Sequence, residues 1–130
     1  MYDISKSGVM RKVGVYVGRF QPFHLGHASV IKQMIADGCE LILILVGSAK
    51  NARTPVNPFR DIERVEVING FLTSHCPDKT KYSIIPIPDF LRDSDWEERV
   101  QQVIRSQTYQ NDRVLLYGHD KDSKIGRAHV

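Results

Sequence analysis

Four short runs, Val13 to Val17, Leu41 to Val46, Ile84 to Ile87 and Val114 to Tyr117, are apolar without clear polar alternation. Strands covered on both faces read this way, because neither face has to meet water. Between the runs, apolar residues recur at helical spacing over about His27 to Ala36, Pro58 to Leu72 and Asp95 to Gln107. This alternation predicts an α/β domain, a Rossmann-like doubly wound parallel sheet in three layers, with ligands at the carboxyl ends of the strands. Asn57-Pro58 offers an N-cap followed by proline at the first helical position. Ser94 with Glu97 predicts a capping box for the last helix. Trp96, Val100, Val103, Ile104 and Gln107 share one stripe, which reads Trp96 as a core residue at a helix start.

The polar motifs all fall after strands. Gly18 to His27 follows the first, Gly47 to Asn57 the second, Pro88 to Trp96 the third and Gly118 to Asp122 the fourth, so four loops are expected to converge on one crevice. In the first, the helix is expected to begin near Leu25, aiming backbone N–H groups and the positive end of its dipole at the turn, an arrangement suited to phosphate. His24 and His27 can project from one face of that helix start and donate to phosphate oxygens. Such a pair also fits a metal site or ordinary helix polarity. Zinc would need at least a third ligand, and neither cysteine is near in sequence. Gly18, for a sharp turn and close ligand approach, Pro22, for stiffness, and Gly26, for close contact, favour phosphate.

Composition narrows the classes. The chain has 130 residues, 42% hydrophobic and 25% charged, which fits one globular domain folding without metal or disulfide. The charge of +3 comes without a long Lys/Arg run, so small anionic substrates are expected rather than nucleic acid. Leu41 to Val46, the longest apolar run, is far short of the roughly 20 residues that span a bilayer, and Met1 to Lys12 is polar and unpatterned, a loose leader without a signal-peptide core. A cytoplasmic location without membrane partners is the resulting expectation. Cys39 and Cys76 form no C-x-x-C pair and read as buried or incidental thiols.

The segment Gly18-Arg19-Phe20-Gln21-Pro22-Phe23-His24-Leu25-Gly26-His27 resembles the H-x-G-H signature of the nucleotidyltransferase superfamily. Its particular form is similar to nicotinamide mononucleotide (NMN) adenylyltransferases of the archaeal type and of the bacterial type fused to a Nudix domain. Cytidylyltransferases and phosphopantetheine adenylyltransferases usually carry other residues around the histidines. Gly47-Ser48-Ala49, Arg53-Thr54, Asn57-Pro58-Phe59 and Glu63-Arg64 resemble further blocks of the same family in order, as do Pro88-Asp89, Asp93, Trp96 and Gly118-His119 with Lys121-Asp122.

The resemblance implies adenylyl transfer from ATP to NMN, giving NAD and pyrophosphate. His24, His27 and Arg19 are then the catalytic set, with Gly18, Phe20, Gly26, Gly118, His119, Lys121 and Asp122 also at the ATP. Asp89, Asp93, Trp96, Arg53 and Asn57 fall to NMN, with Trp96 stacking on the nicotinamide ring and Asp93 on its carboxamide. Magnesium is expected to come with ATP and keep several waters, without a protein carboxylate cage. A homo-oligomer and a downstream Nudix domain would suit the family. Several residues have plainer readings: Asn57 as a helix cap, Arg53 as an exposed loop residue, Arg64 in an ion pair with Glu63, Asp89 as a loop stabiliser. The other functional readings are nucleotidyl transfer to a different phosphorylated small molecule, and a non-catalytic nucleotide-binding module.

The family's domain continues to another strand and a serine/threonine-rich segment bearing a phosphate-binding arginine. A nucleotidyltransferase domain over residues 13–124, incomplete at its C-terminus and weakened in activity, is therefore expected. The last six residues, Ile125 to Val130, match one reading frame of a widely used sequencing adapter and are expected to be a non-native tail.

Overall fold

The structure, a computed structural model, describes residues 11–49, 55, 59–88 and 92–118. Four strands, β1 (Lys12–Gly18), β2 (Leu41–Ala49), β3 (Lys81–Pro88) and β4 (Arg113–Tyr117), alternate with α1 (Leu25–Ala36), α2 (Asp61–His75) and α3 (Asp93–Gln107). All neighbouring strands are parallel, in the order β3-β2-β1-β4. The chain thus builds outward from β1 through β2 to β3, then returns to lay β4 on the other side of β1.

That reversal divides the helices between two faces. Tyr16, Ile42, Ile44 and Val46 pack with Ile31 and Met34 of α1 and Ile68 and Leu72 of α2. The alternate strand residues Val13, Val15, Val17, Leu43 and Leu45 pack with Val100, Val103 and Ile104 of α3. From Ile42 to Val46, β2 is 0% exposed at every residue, so the missing polar alternation there reflects cover on both sides. The switch in winding direction falls between β1 and β4, where open α/β sheets leave a crevice at the strands' carboxyl ends.

Several boundaries differ from the sequence expectation. Arg11 and Lys12 are tied to the sheet rather than belonging to a loose leader. The Arg113 N–H donates to the Arg11 carbonyl at 2.8 Å, and Lys12 Nζ donates to the Asp37 carbonyl at 2.7 Å. β3 starts three residues early, at Lys81, because Lys81 pairs with Leu41 and an edge strand tolerates a polar start. α2 begins at Asp61 rather than Pro58. Its N-cap is Arg60, whose N–H donates to Glu63 Oε1 at 2.8 Å, while Asn57 and Pro58 lie outside the described residues. α3 is capped by Arg92, not Ser94; Asp93 and Asp95 in the first turn complement the dipole, and Arg92 Nε donates to Asp95 Oδ2 at 3.1 Å.

The side chain of Arg11 closes the bottom of the β1–β4 pair. It donates to both oxygens of Asp112, at 3.1 and 2.7 Å, and lies 4.9 Å over the Tyr109 ring. Burial would raise the Asp112 carboxyl, but the Arg11 hydrogen bonds and the Tyr109 N–H outweigh it and hold it below the ordinary value. A carboxylate depressed in the folded state adds stability above its unfolded value, about 3.9, and loses that contribution as pH falls through the folded value. Asp112→Asn is expected to cost about 1–2 kcal/mol near neutrality. Urea midpoints measured across pH should show the gap to wild type narrowing below about pH 4.

Candidate active site

β1 delivers Gly18 to the crevice, and the chain reverses two residues later at Phe20, whose φ is +53°. A left-handed residue other than glycine costs about 1–2 kcal/mol. Burial of the ring, which is 1% exposed, returns about 2–3 kcal/mol. The turn expected at Gly18 therefore sits at Phe20, and Gly18 serves it differently: a Cβ there would lie 3.2 Å from Phe20 Cζ. The Phe20 ring meets Tyr16 and His27 edge-on, at 5.2 and 4.7 Å between centroids. After the cis Gln21–Pro22 peptide, the Gln21 amide exchanges two 2.9 Å hydrogen bonds with the backbone of Phe59, tying the turn to the approach of α2.

His24 is the N-cap of α1, in an extended conformation. Its Nδ1 accepts from the Gly26 N–H at 3.0 Å, and the His24 N–H donates to His27 Nδ1 at 3.1 Å. The two imidazoles reproduce the reciprocal geometry of a capping box. Since each Nδ1 accepts, the proton of each neutral ring sits on Nε2. The rings stack with centroids 3.8 Å apart, and Phe23 stacks behind His27 at 5.7 Å. Gly26 makes room for this, because a Cβ there would lie 2.9 Å from His24 Cε1.

The electrostatics favour an anion. α1 has no acidic residue in its first turn, whereas α2 and α3 carry Asp61 and Glu63, and Asp93 and Asp95. The positive end of the α1 dipole therefore has no carboxylate in its own first turn to neutralise it. Arg19, exposed beside it, adds a cation. Among the described residues no group of three or more His, Cys, Asp or Glu is placed to hold a metal.

Beneath the turn, Arg64 is 2% exposed. Its Nη1 donates to the carbonyls of Arg19, at 2.8 Å, and Gly47, at 2.6 Å, and its Nε donates to the Arg60 carbonyl at 3.3 Å. The sequence offers two readings of Arg64, part of a Glu63-Arg64 family block and an ion pair with Glu63, and its bonds to the Arg19 and Gly47 carbonyls place it beneath the turn. Adjacency to Glu63 obscures the inward direction, which the spacing of Arg64 to Ile68 and Leu72 on the buried stripe of α2 carries.

Across the sheet, Asp93 and Trp96 lie in the first turn of α3, Asp93 exposed and Trp96 half-buried against the core. They share the carboxyl-end rim with the histidines but stand on the opposite face. Gly118, with φ +123°, follows β4 beside the end of β1. The expected site residues Arg53, Asn57, Asp89, His119, Lys121 and Asp122 lie outside the described residues.

Neither cysteine offers a nucleophile: burial raises both the Cys39 and Cys76 thiols, keeping them protonated. Cys39 lies 3.6 Å from the Tyr117 hydroxyl, which donates to Asp37 Oδ2 at 2.6 Å. Burial and that carboxylate raise the phenol, and the same bond, with Gln33, lowers Asp37. These groups lock the C-terminal end of α1 away from the histidines.

A parallel sheet with an anion-receptive turn beside its switch point is a nucleotide-binding arrangement, and known proteins supply its family. The chain belongs to the cytidylyltransferase-like family, which matches residues 15–128. Within that breadth it is 48% identical, over 67% of its length and 50% of the relative's, to a nicotinamide-nucleotide adenylyltransferase of Saccharolobus solfataricus. It is 34% identical, over 83% of its length and 56% of the relative's, to a nicotinamide/nicotinic acid mononucleotide adenylyltransferase of Acinetobacter baylyi. A Francisella tularensis bifunctional NMN adenylyltransferase/ADP ribose pyrophosphatase, solved with AMP and a manganese ion, superimposes with a TM-score of 0.74 at 26% identity, over 82% of this chain and 32% of that one. The chain spans about half the length of the curated relatives it matches.

The His24 geometry makes a testable claim about Gly26. Gly26→Ala and His24→Ala should each weaken triphosphate binding about tenfold, although alanine is the better helix former at position 26. Combining the two should add little, because both displace one ring. Calorimetric titration of the two single variants and the double variant with ATP checks this.

Proposed function

We propose that the protein transfers the adenylyl group of ATP to nicotinamide mononucleotide, forming NAD and pyrophosphate. The observation that carries this reading is the pair of Nε2–H donors at the α1 N-terminus, set beside the sheet's switch point. The curated relatives bearing this activity in their names support the acceptor.

An oxygen of the NMN phosphate attacks the α-phosphorus of ATP. The new P–O bond forms as the bond from the α-phosphorus to the bridging oxygen breaks, and pyrophosphate departs with that oxygen and its electron pair. No covalent enzyme intermediate is needed. His24 and His27 donate from Nε2 to triphosphate oxygens, the α1 dipole attracts the same charge, and Arg19 adds a guanidinium that can grip phosphate through two donors. Because the donors are fixed before the substrate arrives, catalysis comes mainly from positioning and charge stabilisation. The divalent ion, magnesium on this reading, enters as part of the ATP complex, since a donor-lined turn suits the phosphates and leaves the cation to phosphate and water oxygens.

Asp93 and Trp96 take the acceptor on the α3 side of the crevice, with the indole against the nicotinamide ring and Asp93 near its carboxamide. Trp96 is half-buried against the core, and on this reading the indole also meets the nicotinamide ring. On this reading Gly118, His119, Lys121 and Asp122 serve the nucleotide, and Arg53, Asn57 and Asp89 serve the acceptor. Residues 13–124 form the catalytic domain on this reading, in a cytoplasmic protein acting on dissolved metabolites. Association into a homo-oligomer and a following Nudix domain belong to the same reading.

The test is NAD and pyrophosphate formation from ATP, NMN and magnesium, using this chain and one extended with the C-terminal segment of the Saccharolobus relative. His27→Ala should lower kcat/KM by about 10²- to 10³-fold, the scale for a removed transition-state donor. Trp96→Ala should raise the KM for NMN about tenfold or more while leaving ATP affinity within about twofold. Turnover with a different phosphorylated acceptor, or ATP binding without pyrophosphate release in the folded extended chain, would overturn the assignment.

A further inference from the structure

We propose that Arg64 is a positioning residue for the histidine pair, acting through the backbone of the turn rather than on the ligand. This rests on the functional reading above only where ATP is concerned. The Nη1 bond to the Arg19 carbonyl fixes the orientation of the peptide that enters Phe20. Phe20 is the left-handed residue of the turn, and its buried ring stands edge-on to His27 at 4.7 Å. His27 in turn caps the His24 N–H and stacks on His24. The links are contiguous, so rotation of the Arg19–Phe20 peptide would carry the Phe20 ring away from His27.

The second Nη1 bond, to the Gly47 carbonyl, anchors the same guanidinium to the end of β2. The third bond, from Nε to the Arg60 carbonyl, keeps its plane in register with α2. A planar fork can bind three backbones at once, and a lysine ammonium on a flexible stem lacks that geometry. With the side chain 2% exposed, these directions are set by packing. Gln21 makes a parallel tie from the turn to Phe59, but through a more exposed amide. A plain helix-to-sheet staple would need only that α2 be held. The bond to Arg19 lies on the ligand side of that staple and leads into the imidazoles.

The experiment compares the wild-type chain with Arg64→Lys and Arg64→Ala by imidazole ¹⁵N spectra, thermal melting and ATP calorimetry. In the wild type, both histidines should show an unprotonated Nδ1 and a protonated Nε2. In Arg64→Lys, observed well below its melting temperature, the His27 signals should move toward tautomer averaging, and ATP affinity should fall about tenfold. Guanidinium ion at millimolar concentration should partly restore both in Arg64→Ala. Should Arg64→Ala fail to fold, Arg64→Lys decides alone. A folded Arg64→Lys protein with wild-type imidazole spectra overturns the proposal and leaves Arg64 as a structural staple. If the wild type shows fixed tautomers yet binds no ATP, the functional reading fails while the imidazole comparison still decides the role of Arg64.

Discussion

A parallel sheet must have both faces covered, and its crossovers are right-handed. From those two constraints the rest of this molecule follows. Moving one way from β1 to β2 to β3 puts α1 and α2 on one face; returning past β1 to place β4 puts α3 on the other. Every helix begins where a strand has just ended, so the N-termini of α1 and α3 gather at the carboxyl rim. α1 starts beside the β1–β4 switch, and α3 starts after the edge strand β3. The chemistry occupies a gap that topology had already opened.

At that gap the chain departs from ordinary local rules. The turn residue is a phenylalanine in a left-handed conformation, and the helix cap is a pair of histidines where serine and glutamate are usual. Both departures hold because neighbouring packing supports them: the Phe20 ring is buried against Tyr16 and His27, and the imidazoles stack on each other with Phe23 behind. Arg64, reaching from α2 to the ends of β1 and β2, joins this local arrangement to the sheet.

The strands were legible as short apolar runs, and Ile42 to Val46 is sealed on both sides as expected, whereas β3 and β4 at the sheet's edges are only partly buried. The start of α1 was legible too, since glycine, proline and histidine cluster there. The starts of α2 and α3 were not. Asn57-Pro58 and Ser94 are good local caps, yet the helices begin from Arg60 and Arg92, where acidic first turns and tertiary placement prevail over cap propensity. At the site, the sequence marks His24 and His27 as phosphate donors but not the division of labour between their two nitrogens, although the spacing is that of a capping box. The inward turn of Arg64 was legible only in its spacing to Ile68 and Leu72 on the buried stripe of α2, a signal obscured because a charged residue beside a glutamate on a helix usually faces water.

The reciprocal imidazole cap has a further consequence. The atoms that hold the first turn of α1 closed also fix which nitrogen of each ring carries the proton, so on the proposed function opening of that turn and loss of anion recognition are one event. Recognition therefore inherits the cooperativity of helix fraying. The amide protons of Gly26 and His24 should exchange with solvent at a rate that tracks the fraction of molecules unable to receive a phosphate. A bound anion would slow that breathing, registering its arrival in the backbone itself.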